Sequence, residues 1–126
     1  MLVGENAVFF SNKAGWFMGL EKAVRILIAD DDNAQVELLG EYLRRFGYSQ
    51  ITHVACIQDL WAMLEKQEYD ILLLDYRLPD GTGLDVLKKM REKAANIPVV
   101  MVTGQGNERI AVQAIQHGAA DYLLKS

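Results

Sequence analysis

Five short apolar runs, four of them closing on a polar or charged residue, do more than any other feature to limit what this chain can fold into. They are Ile26 to Ala29, Ile51 to Ala55, Ile71 to Leu74, Val99 to Val102 and Tyr122 to Leu124. Apolar runs this short read as buried strands of a parallel sheet. Between them the apolar period lengthens to three and four. Val36, Leu39, Leu43 and Phe46 mark one helix, Leu60 and Leu64 a second, Leu84, Leu87 and Met90 a third, and Ile110, Ala114 and Ile115 a fourth. Gly47 and Gly118 stand where two of these helices would stop. Strands alternating with helices imply right-handed crossovers, so the expected fold is α/β with a doubly wound, five-stranded parallel sheet.

Ligands of such sheets bind beyond the carboxyl ends of the strands. There the first strand runs into Asp30, Asp31 and Asp32, in "RILIADDDNA", and the third presents Asp75, in "YDILLLDYRLPDGTG". Asp32, with Gln35 three residues on, is read as the N-cap of the first helix. Capping explains too little of the other three. If the first and third strands are neighbours, Asp30, Asp31 and Asp75 meet at one edge, where they raise one another's pKa or bind a hard cation such as Mg²⁺. The fourth strand brings Thr103 to the same rim and the fifth brings Lys125. Acids, a hydroxyl and an ammonium suit phosphoryl transfer to a carboxylate, with one Asp as nucleophile and the cations offsetting phosphoryl charge.

From Val24 to Ser126 these residues resemble the receiver domain of two-component response regulators. The resemblance rests on the acidic pair in "ILIADDD", on "LLLDYRLPDGTG" and "VVMVTG", and on Tyr122 and Lys125. The intervals also fit: 44 positions from Asp31 to Asp75, 28 to Thr103 and 22 more to Lys125. The resemblance implies a flavodoxin-like strand order 2-1-3-4-5, with Asp75 as phospho-acceptor. Asp31, Asp75 and the backbone carbonyl of Arg77 would hold Mg²⁺, Asp30 would act through a water, and Thr103 and Lys125 would contact the phosphoryl group. Tyr122 matches the family's aromatic switch residue, and reads equally as a half-buried strand tyrosine. A sensor histidine kinase or phosphotransfer protein would be the donor. The output surface would lie around Ile110 to Tyr122, where family members often dimerise or meet effectors. On this reading the protein is a switch that helps catalyse its own phosphorylation and dephosphorylation, not a turnover enzyme.

The chain departs from the family pattern in two places. Ser126 follows Lys125 where the family usually has proline, which predicts a lysine poorly held. The chain also ends just after the fifth strand, so the family's fifth helix is expected to be missing and the sheet face shared with the first helix to show apolar side chains. Residues 1–23 form an N-terminal extension ahead of the domain at 24–126. Val8, Phe9, Phe10, Trp16, Phe17, Met18 and Leu20 make it unusually apolar; one reading is a short helix over Gly15 to Ala23 that covers that face, in its own chain or a partner's, and the other is an unstructured leader or a fifth helix that belongs to a longer protein.

Other readings are narrower. An aspartate-nucleophile phosphohydrolase also opens with D-x-D (here Asp30 and Asp32), but it wants Thr or Val where this chain has Ala34. A receiver-like interaction module would keep the fold and signal without phosphorylation; intact Asp75, Thr103 and Lys125 argue against it. A formal charge of −4 gives no case for nucleic-acid binding. One cysteine, Cys56, precludes an intrachain disulfide; it reads as a small buried hydrophobe, and a reducing cytoplasm is the simplest compartment. No basic n-region precedes the apolar N-terminal residues, so a signal peptide or membrane span is not expected. His53 and His117 lack partners at metal-ligand spacing and read as surface or satisfied histidines. Trp61 and Met63 read as helix-face residues, and "TGQGNE" as a mobile loop lacking a P-loop lysine.

Overall fold

The computed structural model describes residues 7–12, 15–20, 24–93, 95–104 and 108–125. Its first two strands, β1 (Ala7–Asn12) and β2 (Gly15–Leu20), form an antiparallel hairpin whose register runs from Ala7 opposite Leu20 to Asn12 opposite Gly15. The helix expected over Gly15 to Ala23 is therefore corrected to a strand through Leu20; residues 21–23 lie outside the described residues. The physical reason is local. Gly15 and Gly19 disfavour helix, while Phe9, Phe10, Trp16 and Phe17 are strong strand formers once two such segments can pair.

The remaining elements follow the predicted alternation. They are β3 (Arg25–Ala29), α1 (Asn33–Arg45), β4 (Gln50–Val54), α2 (Ile57–Lys66) and β5 (Ile71–Asp75), then a tight hairpin of β6 (Arg77–Leu78) and β7 (Gly81–Thr82). After it come α3 (Gly83–Glu92), β8 (Val99–Thr103), α4 (Glu108–Gln116) and β9 (Asp121–Leu124). The five-stranded sheet has the order β4-β3-β5-β8-β9, every pair parallel. Counted among the sheet strands alone, that is the expected 2-1-3-4-5. Gly47 (φ 93°) and Gly118 (φ 96°) occupy the left-handed region just beyond α1 and α4, as helix-stop glycines do.

The sheet's two faces are covered unequally. Leu72 and Leu74 of β5 and Val99 and Met101 of β8 are wholly buried, together with Leu60 of α2, Leu87 and Met90 of α3 and Ala114 of α4. The alternate residues Leu73, Val100 and Val102 are only half-buried. On their side α1 lies over the sheet with a single buried residue, Gly40, and a cleft of about 220 Å³ opens between Leu38, Leu39 and Tyr42 of α1 and Leu123 and Leu124 of β9. Leu123, opposite Val102 on this side, is 50% exposed, so apolar surface shows on the face shared with α1 as the sequence leads one to expect. Trp61 and Met63 pack half-buried against the core, and Lys93 lies 4.5 Å from the centroid of the Trp61 ring. No helix among the described residues is long and apolar enough to cross a membrane.

Candidate functional site

Parallel register delivers the site residues to one rim. Ala29 pairs with Leu74, so Asp30 and Asp75 leave neighbouring strands at the same level, and Asp75 pairs with Val102 one residue before Thr103. Thr103 in turn pairs with Leu124, which sets Lys125 beside it, and the Lys125 amide donates to the Thr103 carbonyl at 2.9 Å. Asp30, Asp31 and Asp75 each offer a carboxylate oxygen within 4.8 Å of the others. Asp30 and Asp75 are 5% and 8% exposed and Thr103 is 1%, while Asp31 faces solvent.

Lys125 is firmly held, contrary to the expectation drawn from Ser126. Its Nζ lies 2.7 Å from Asp30 Oδ2 and 3.2 Å from Asp75 Oδ2. Two buried carboxylates supply what a following proline does not: their attraction, little screened at this depth, fixes the ammonium. Burial alone would lower the Lys125 pKa, but the hydrogen bond and charge of Asp30, then those of Asp75, outweigh it and raise the pKa. Asp75 is also raised, first by burial and then by the Asp30 charge, with Lys125 pulling the other way. Three carboxylates against one ammonium leave the site net negative, the condition in which a divalent cation is favoured.

The backbone around the acids is pinned. Asp30 Oδ1 accepts from the Asp32 amide at 2.9 Å, its own amide donates to Val54, and its carbonyl lies 2.7 Å from His53 Nε2. His53 is thus a satisfied histidine whose partner belongs to the site, which its sequence surroundings did not announce. Asp32 caps α1 as predicted, its Oδ1 accepting from Gln35 at 3.2 Å. At the other acid, a Cβ on Gly83 would run into the Asp75 carbonyl, so only glycine lets α3 start this close to the β5 terminus. The Gly83 amide donates to the Tyr76 carbonyl at 2.6 Å.

Tyr122 is half-buried against the core, and burial followed by the neighbouring Tyr76 raises its pKa. Gly104 has open space where a side chain would stand, next to Thr103. The middle of "TGQGNE", residues 105–107, lies outside the described residues. Cys56 is corrected: it is only partly buried and serves as the N-cap of α2, its Sγ accepting from the Asp59 amide at 3.4 Å, because it stands at the strand-to-helix turn instead of inside an element.

The family profile described as "Response regulator receiver domain" matches residues 26–126. The chain belongs to that family. Among curated relatives, this receiver domain is 42% identical over 105 residues to the alginate biosynthesis transcriptional regulatory protein AlgB of Pseudomonas aeruginosa, covering 83% of this chain and 23% of AlgB. It is 35% identical over 108 residues to the response regulator protein TodT of Pseudomonas putida, covering 83% of this chain and 46% of TodT. The chain thus spans less than half the length of either. Among solved structures, a putative response regulator from Chloroflexus aurantiacus superposes with a TM-score of 0.76 at 31% identity, over 82% of this chain and 86% of that one.

Proposed function

We propose that this receiver domain, residues 24–126, takes a phosphoryl group from a phosphohistidine onto Asp75 in a Mg²⁺-dependent reaction and switches conformation in response. The observation that carries the reading is the convergence of Asp30, Asp31 and Asp75 around one point, with Lys125 bridging two of them. A carboxylate oxygen of Asp75 attacks phosphorus as the P–N bond to the donor imidazole breaks, so the nitrogen leaves with its electron pair. Asp31, Asp75 and the Arg77 carbonyl would hold Mg²⁺, with Asp30 reaching it through water. Bound there, the ion supplies positive charge to the phosphoryl oxygens.

Lys125 has two roles in this scheme. Before transfer it neutralises the acids; afterwards it pairs with a phosphoryl oxygen. Thr103 donates its hydroxyl to another, a move that vacates space into which Tyr122 turns. The response passes to α4 and β9, where Val112 and Ile115 stand 54% and 51% exposed as contacts for an effector or a second copy. Hydrolysis of the acyl phosphate resets the switch. A histidine kinase or phosphotransfer protein is the natural donor, which makes the cytoplasm the working compartment.

Intact-mass spectrometry after incubation with acetyl phosphate tests the reading. We expect one phosphoryl gain in wild type with Mg²⁺, and none with EDTA or in Asp75→Asn. No gain in wild type would favour a silent interaction module.

A further inference from the structure

The hairpin that follows the acceptor is fixed at both ends, and one of the anchors lies outside the site. At its base the Gly83 amide holds the Tyr76 carbonyl. At its tip, between Leu78 and Gly81, Asp80 reaches across to α2: its Oδ1 accepts from the Ile57 amide at 2.8 Å and its Oδ2 from the Gln58 amide at 3.0 Å. Both bonds favour the carboxylate and lower its pKa. The tip also fits closely. Gly81 has φ +155°, and a Cβ there would come within 2.9 Å of Ile57 Cδ1.

Why α2 should need a carboxylate from 22 positions away is plain at its own N-cap. Cys56 offers only a thiol, a weak acceptor, and it satisfies the Asp59 amide alone. The Ile57 and Gln58 amides would otherwise lack a protein partner at the positive end of the helix dipole. Asp80 serves both, so α2 and the post-acceptor hairpin are linked.

From this linkage we infer that Asp80 is a positioning residue for the metal: by clamping the hairpin tip to the start of α2, it fixes Arg77 at the hairpin's other end and so sets Mg²⁺ affinity. Arg77 pairs with Thr82 and Leu78 with Gly81, so a tip released from α2 carries the Arg77 backbone with it. Asp80 is not among the residues proposed to hold the metal or the phosphoryl group. The inference rests on the Mg²⁺ site proposed above.

Calorimetric titration with MgCl₂, well below the melting temperature, tests it. Asp80→Ala is expected to bind Mg²⁺ about tenfold more weakly than wild type, the lower end of what outer supports of a metal contribute. Asp80→Asn keeps a capping oxygen and is expected to stay within about threefold of wild type. The deciding variant adds Cys56→Ser to Asp80→Ala. It gives α2 a hydroxyl cap of its own, and with it helix stability, but leaves the hairpin untethered. We expect its melting temperature to recover and its Mg²⁺ affinity to stay about tenfold weak. Wild-type affinity in Asp80→Ala, or recovery of affinity along with stability in the double variant, overturns the positioning role while the site stands. Absence of Mg²⁺ binding in wild type overturns the site itself, and the inference with it.

Discussion

Asp75 is caught between opposed influences: burial and the Asp30 charge favour its protonated form, while Lys125 favours the anion. The first two prevail, so its pKa is raised from 3.8 and the folded state holds the proton more tightly than the unfolded chain. Stability therefore falls as pH rises from the ordinary carboxylate value through the raised one, and ionised Asp75 is a cost at neutral pH. Asp75→Asn is expected to melt higher than wild type at pH 7, by about 3–5 °C for each kcal/mol relieved. The advantage should fade as pH drops toward 3.8, which scanning calorimetry across the range would show. Lys125→Met does the reverse. It strands two carboxylates whose side chains are only 8% and 10% exposed, at a cost of about 3 kcal/mol, read by urea denaturation and partly recovered by adding Mg²⁺. At this scale the identities of the site residues were legible, because each ends an apolar run. The bridge from Lys125 to Asp30 and the His53 bond to the Asp30 carbonyl were not, since both depend on side-chain reach between residues far apart in sequence.

Among elements, the start of α3 is the tightest join. Gly83 sits against the Asp75 carbonyl, Leu74 and Met101, so Gly83→Ala must push the helix off the end of β5. We expect a loss of about 2–3 kcal/mol by urea denaturation, with slower phosphorylation by acetyl phosphate because the peptide of Asp75, the proposed acceptor, is displaced. Strand bounds were readable to within about one residue, and the helices by their apolar spacing though not by their ends, because period and glycine stops agree with the tertiary packing. The N-terminal segment was misread because Trp16, Phe17 and Leu20 have an apolar spacing that fits a helix turn as well as a strand. Pairing with Ala7–Asn12 decides it, and no single segment reveals its partner. The clamp from Asp80 to α2 was hidden for the same reason: its partners, the Ile57 and Gln58 amides, belong to another segment.

For the molecule as a whole, a ligand that binds only the folded state stabilises it by mass action. At a hundredfold excess over its dissociation constant, Mg²⁺ should add about 2.7 kcal/mol and raise the melting temperature. Asp31→Asn should abolish that rise, since Asp31 is solvent-facing and its loss leaves the fold intact. The strand order carries a consequence in time. β3 and β5, which bring Asp30, Asp31 and Asp75, are adjacent, whereas Lys125 follows β9, an edge strand and the last element described. Held by β8 alone, that edge can fray and withdraw the ammonium while the three acids stay gathered. The opened site is then at its most electronegative, and soluble cations can guard it in that interval. The final edge strand is also the one whose backbone amides should exchange with solvent soonest in the finished protein.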